Sequence, residues 1–167
     1  FGQPEIDLPV LKQWKDGVIA KLTGGLKMMA KQRQVTIVNG VGAFSGSHSM
    51  EVTAADGEVT SIAFEQAIIA AGSQPVALPF MPDDPRVLDS TSALELASTD
   101  GEMLILGGGI IGLEMATVYS ALGSTISVVE RQDQLIPGAD KDLIAPYQKR
   151  VSKRYADIML NTSVTKV

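Results

Sequence analysis

The feature that most constrains this chain is the run Gly107-Gly108-Gly109-Ile110-Ile111-Gly112, a match to G-x-G-x-x-G. Glycine-rich turns are common, and the pattern alone serves chain reversal as readily as binding. Its surroundings narrow the choice. An apolar run at 103–106 precedes it, and a helical run at 110–122 follows, closed by Gly123. A second β-prone run at 125–129 then ends on Glu130, 23 residues beyond Gly107. Strand, glycine loop, helix and strand form a βαβ unit, whose two strands lie parallel with the helix on one face of the sheet.

Each residue of the loop has a physical reason. Gly107 permits the tight strand-to-helix turn, Gly109 has no Cβ to block a pyrophosphate, and Gly112 allows close packing of helix on strand. Gly108 lies inside the same turn. The unpaired N–H groups of the first helical turn, around Ile110 and Ile111, face the phosphates with the positive end of the helix dipole. Glu130 can accept hydrogen bonds from both ribose hydroxyls of an adenosine and repels a 2′-phosphate, which favours NAD over NADP. The neighbouring Arg131 pulls the other way, since an arginine here can host that phosphate. Glu114, two residues past Gly112 in an apolar stretch, has two readings: a group facing a bound nicotinamide, or a solvated helix face.

Elsewhere the patterning changes twice. Over 8–32 the apolar residues Leu11, Trp14, Val18, Leu22, Leu26 and Met29 recur at helical spacing, with a break or kink expected at Gly24-Gly25 and core packing expected for Trp14, Met28 and Met29. Residues 35–38 read as a short strand. From Met50 the period is two, and Asp56-Gly57 marks a hairpin. Residues 67–71 form a short apolar run, as in a strand covered on both faces, ending at Ala71-Gly72-Ser73 where small residues allow close approach of backbone to a ligand. Gly42, between Val41 and Ala43, has the same ambiguity between turn and ligand contact. A connector with Pro75, Pro79, Pro82 and Pro85 follows, and the expected domain division is 1–78 and 79–167. Ser92 and Glu95 form a capping-box pattern for a short helix. A helix over 140–155 must accommodate Pro146, most easily with Asp142 as its N-cap; residues 158–160 supply a further strand.

Composition then sets limits. The 167 residues are 45% hydrophobic and 20% charged, enough for a globular core. The formal charge of −5 without a basic tract speaks against nucleic acid or an anionic membrane as partner. The breakers Gly72, Pro75, Pro79 and Pro82 interrupt the longest uncharged stretch, so no membrane span is expected. There is no cysteine, which excludes thiol or disulfide chemistry within this chain and accords with a reducing, cytoplasmic location. The single histidine, His48, has no suitably spaced partner and reads as a surface residue, so no metal site is expected. The start at Phe1 and the end within the β-prone 163–167 read as those of a fragment.

The runs Leu22-Thr23-Gly24-Gly25-Leu26, Ala67-Ile68-Ile69-Ala70-Ala71-Gly72-Ser73, Asp89-Ser90-Thr91, Gly107 through Glu114, and Val128-Val129-Glu130 together resemble the bacterial dihydrolipoamide dehydrogenases, within the pyridine nucleotide-disulfide oxidoreductases. The resemblance covers essentially the whole chain. It implies an α/β architecture: the later part of a FAD-binding domain with a β-meander, joined to the first half of a Rossmann-type NAD-binding domain. It implies FAD contacts at Gly42, Ala71, Gly72 and Ser73, NAD contacts at Gly107–Gly112 and Glu130, and a place for Glu114 near nicotinamide and flavin. The redox cysteine pair and the His–Glu pair of that family match nothing here, so no catalytic residue is assigned. The parent reaction would be oxidation of protein-bound dihydrolipoamide with reduction of NAD, in a homodimer serving the lipoyl domains of 2-oxo acid dehydrogenase complexes. A related flavoprotein disulfide reductase is the alternative within this class. A non-catalytic NAD-binding module is the alternative outside it, and flanking sequence separates the two.

Overall fold

A computed structural model describes residues 5–167. The chain divides into two compact units, one formed by Gln13–Ser73 and the other by Gln74–Val167 with the described residues through Lys12.

Helix α1 spans Leu8–Gln32. Asp7 starts it, its carboxylate accepting the Val10 N–H at 3.0 Å. The helix runs unbroken through Gly24-Gly25, contrary to the expected interruption. Glycine there weakens a helix by about 1 kcal/mol each relative to alanine but removes no backbone bond, and the Thr23 hydroxyl adds a bond to the Ile19 carbonyl at 2.9 Å. It ends in a Schellman motif: Val35 N–H reaches the Ala30 carbonyl at 2.9 Å and Gln34 N–H the Lys31 carbonyl at 3.2 Å, with Gln34 left-handed at φ 56° where glycine is usual. No residue of α1 is buried. Trp14 is 68% exposed, and Met28 and Met29 are exposed too, so the core role expected of them fails.

Three antiparallel strands, β1 (Val41–Gly46), β2 (Ser49–Thr53) and β3 (Val59–Ala63), make the expected meander in the order β1-β2-β3. The Asp56-Gly57 turn closes β2 onto β3 through Ala54 N–H to the Glu58 carbonyl at 2.8 Å, with Gly57 at φ 89°. Phe44 and Phe64 meet edge to face at 5.9 Å. The two other strands expected in this unit do not form. Residues 35–38 and 67–71 join no ladder, and Ile68 and Ile69 are 95% and 76% exposed. An apolar run becomes a strand only where another strand takes up its backbone groups, and here none does.

The other unit carries β4 (Glu102–Leu106), α2 (Ile110–Leu122), β5 (Thr125–Val129), α3 (Lys141–Val151) and β6 (Asp157–Met159). The strands form a parallel sheet in the order β4-β5-β6, with Leu104 beside Ser127 and Val128 beside Ile158. Strand β4 is therefore an edge. Gly123, left-handed at φ 114°, ends α2. The core gathers Leu113, Ala116 and Tyr119 of α2 with Ile126 and Val128 of β5 and with Leu135, Ile144, Val151 and Tyr155.

Two local expectations are corrected. The short helix Ser92–Glu95 is capped from outside by Asp89, whose carboxylate accepts the N–H groups of Thr91 and Ser92 at 2.9 and 2.7 Å. These bonds, from Ser92 foremost, hold Asp89 below its usual carboxylate range. Helix α3 starts from Asp140 rather than Asp142, leaving Pro146 well inside, where it forfeits the bond to the Asp142 carbonyl.

The fully buried Tyr119 donates its hydroxyl to the Ala93 carbonyl at 2.7 Å. Tyr119→Phe should cost about 1 kcal/mol in urea unfolding, whereas Trp14→Ala should change stability by less than about 0.5 kcal/mol. A larger loss for Trp14→Ala would mean that α1 packs against an apolar surface.

Candidate functional site

The parallel sheet sets where the glycine loop stands. Gly107 N–H continues the β4–β5 ladder onto the Val129 carbonyl at 2.8 Å, and the chain then leaves the sheet at φ 104° and turns into α2. The first backbone bond of α2 runs from Leu113 N–H to the Gly109 carbonyl at 3.1 Å. The amides of Ile110, Ile111 and Gly112 thus have no acceptor within the helix, and no side chain caps them. Such an end attracts anions through both its free donors and its dipole.

The four glycines have separable reasons. A Cβ on Gly112 would lie 2.4 Å from the Gly107 carbonyl oxygen and 2.9 Å from Ile105 Cγ2, so the helix could not pack as it does. A Cβ on Gly108 would lie 2.7 Å from Leu135 Cδ2 and 3.1 Å from Glu130 Cβ. Gly107 carries the positive φ. Gly109 is different: its φ of −77° suits any residue, and a Cβ there would meet nothing within 4 Å. The protein's own packing does not require glycine at 109, whereas a ligand approaching that backbone does. That open space is the observation in this structure that fits a pyrophosphate.

Glu130 closes the site at the end of β5. It is 8% exposed, and its carboxylate is held on both sides: Oε2 accepts the Gly108 N–H and Oε1 the Gln132 N–H, each at 2.7 Å. Its own N–H reaches the Met159 carbonyl at 2.8 Å and its carbonyl accepts Thr162 N–H at 3.0 Å. A buried carboxylate needs hydrogen-bond donors, which the two amides supply, and lone pairs remain on both oxygens for further donors. Arg131, next in sequence, is exposed.

Other residues singled out in the sequence lie apart from this cluster. Glu114 is exposed on α2, beside the buried Leu113 rather than on the packed face. Gly42 lies in β1 opposite Val52, and Ala71, Gly72 and Ser73 are exposed in extended chain outside any ladder. No hydrogen bond links Gly42 to Ala71, Gly72 or Ser73 among the described residues. His48 is exposed, with its carbonyl accepting Phe64 N–H at 3.0 Å. No described helix is long and apolar enough to cross a membrane. The structure adds residues that sequence reading missed: Gln132, which acts through its backbone amide, and the pair Leu135-Ile136, an apolar dipeptide between Gln134 and Pro137 whose position in a polar loop was the available signal.

The sequence profile of the pyridine nucleotide-disulphide oxidoreductases matches residues 2–167. The chain belongs to that family. It is 54% identical to a dihydrolipoyl dehydrogenase of Vibrio cholerae and 53% identical to one of Haemophilus influenzae, over its whole length and 35% of theirs. It therefore spans about a third of the length of these relatives. Among solved structures, LpdA of Mycobacterium tuberculosis superimposes with a TM-score of 0.88 at 24% identity, over 99% of this chain and 38% of that one. The HOCl-induced flavoprotein disulfide reductase RclA of Escherichia coli, in its Cu(II) complex, gives 0.80 at 28%, over 93% and 36%. The mixed α/β fold is thus shared with these two proteins, as the glycine fingerprint implies.

The glycines make a stability prediction that is independent of any ligand. Gly112→Ala should destabilise the chain by about 1–3 kcal/mol through overpacking, whereas Gly109→Ala should leave the thermal midpoint within a degree or two or raise it. Equal losses at the two positions, measured by thermal unfolding, would show that Gly109 is needed for packing.

Proposed function

We propose that this chain supplies the NAD site, and part of the FAD site, of an NAD-dependent dihydrolipoamide dehydrogenase. The observation that carries the reading is the space at Gly109, open beside the free amides of Ile110 and Ile111, with the neighbouring Gly108 amide holding the Glu130 carboxylate in place. A dinucleotide presents the matching set of groups: a pyrophosphate for the amides and a ribose diol for the carboxylate. Gly107, Gly108 and Gly112 shape the loop. A 2′-phosphate would bring a second negative charge against the buried Glu130, which favours NAD over its phosphorylated form despite the nearby Arg131.

Glu114 is proposed to stand toward the nicotinamide end, where its exposed carboxylate is available to a bound group. Gly42, Ala71, Gly72 and Ser73 are proposed to meet FAD through backbone rather than side chains, consistent with their small size and exposure. In the parent, dihydrolipoamide carried on a lipoyl domain gives up two electrons and two protons and becomes the disulfide. FAD and NAD, when bound, would supply the redox chemistry that takes up those electrons, with Gly42, Ala71, Gly72 and Ser73 holding part of the first and Gly107–Gly112 with Glu130 holding the second. This chain contains no cysteine, so its contribution is positioning and electrostatics and it does not turn over a dithiol by itself. The parent is proposed to be a cytoplasmic homodimer that serves 2-oxo acid dehydrogenase complexes. The RclA likeness keeps a related flavoprotein disulfide reductase as the second reading; the 54% identity to a dihydrolipoyl dehydrogenase weighs for the first.

Fluorescence titration with NADH tests the site. The chain should bind NADH in preference to NADPH. Gly109→Ala should weaken NADH binding about tenfold or more, which is about 1.4 kcal/mol, with the fold intact by circular dichroism. Glu130→Gln should narrow the preference between the two nucleotides. Unchanged binding in Gly109→Ala would overturn the assignment. A separate expectation concerns the flavin: the isolated 167-residue chain should purify without a flavin absorption band, and a copurifying band would show a complete FAD site within it.

A further inference from the structure

The loop between β5 and α3 is folded against Gly108 more tightly than chain reversal requires. Gly108 is buried, and its backbone is held on both sides. Its N–H goes to Glu130 Oε2, and its carbonyl accepts the Ile136 N–H at 2.7 Å. Leu135, fully buried, places Cδ2 where a side chain on residue 108 would have to go, 2.7 Å from an ideal Cβ. Ile136 is left-handed at φ 49°, a conformation that a β-branched residue adopts only when its surroundings impose it.

Those surroundings are visible. Ala139 N–H reaches the Ile136 carbonyl at 3.1 Å, the Gln134 side chain donates to the Ala139 carbonyl at 2.9 Å, and Lys141 pairs with Asp133 at 3.0 Å. The loop is therefore tied to itself and to the start of α3, and it presses one apolar side chain and one amide onto Gly108, between the first two glycines of the fingerprint.

We propose that Leu135 and Ile136 form a brace that fixes the nucleotide loop and the Glu130 carboxylate before any nucleotide arrives, making them positioning residues for the site. This rests on the NAD reading of the loop given above. A loop fixed in advance loses little freedom on binding, so the brace acts on affinity through preorganisation. Neither residue need touch the ligand.

The test uses the whole chain with three substitutions, Leu135→Ala, Leu135→Met and Ile144→Ala, and two readouts, NADH affinity by fluorescence titration and amide hydrogen exchange at Gly108 without nucleotide. Ile144 lies in the same buried cluster and serves as a control for general loosening of the core. Leu135→Ala should speed exchange at Gly108 and weaken NADH binding, each by about tenfold. Leu135→Met, which restores the volume, should stay near the parent in both. Ile144→Ala should leave NADH affinity within about twofold. Equal effects of Leu135→Ala and Ile144→Ala on both readouts would overturn the brace, as would an unfolded Leu135→Ala combined with a Leu135→Met that folds yet fails to protect Gly108. Absence of NADH binding by the parent chain would refute the nucleotide reading. In that case Gly108 exchange in the Leu135 variants alone upholds or overturns the brace.

Discussion

The Glu130 carboxylate is the interaction on which the glycine-loop unit depends. Buried at the end of β5, it needs donors for its charge, and it takes them from the backbone of Gly108 and Gln132. That choice joins three elements at one point: the end of the parallel sheet, the loop that opens α2 and the loop that leads to α3. Without those donors an ionised carboxylate in this position would cost several kcal/mol. With them it is hydrogen-bonded on both oxygens, keeps lone pairs free and lies beside an uncapped helix end. The same group thus supports the loop's shape and offers an acceptor at its mouth.

The glycines show how fully such a site can be written in a sequence. Helix α2 and strand β5 fall at 110–122 and 125–129, as their apolar runs and Gly123 predict, because helix ends and tight turns are local backbone requirements. The spacing of Gly107, Gly109, Gly112 and Glu130 encodes one compact geometry. Spacing does not encode which glycine is needed for packing and which leaves space. Gly108 and Gly112 would clash and Gly109 would not, a difference that depends on Leu135 and Ile105, which belong to other elements.

Where the sequence reading fails, it fails for want of a partner. Helical periodicity predicts α1 correctly as a helix and wrongly as a core element, since burial depends on what lies against the helix and nothing buries any of its residues. The β-prone runs at 35–38 and 67–71 have the composition of strands without a neighbouring strand to complete their hydrogen bonds. The meander succeeds because its three strands supply one another with partners at short range through two tight turns. Capping shows the same distinction on a smaller scale. Asp89 lies only a few residues upstream of Ser92, yet its carboxylate accepts the Ser92 amide that the capping-box pattern assigns to Glu95, and the Thr91 amide besides.

The glycine loop and Glu130 are proposed to form one dinucleotide site. Mapping backbone amide chemical shifts during an NAD titration tests this most directly, because each residue of the proposed site has its own amide. Saturable shifts should be largest at Gly109, Ile110 and Ile111, extend to Gly108 and Gln132 through the Glu130 carboxylate, and spare the β1–β3 meander. Saturable shifts centred elsewhere, or none at NAD concentrations that saturate ordinary dehydrogenase sites, would contradict it.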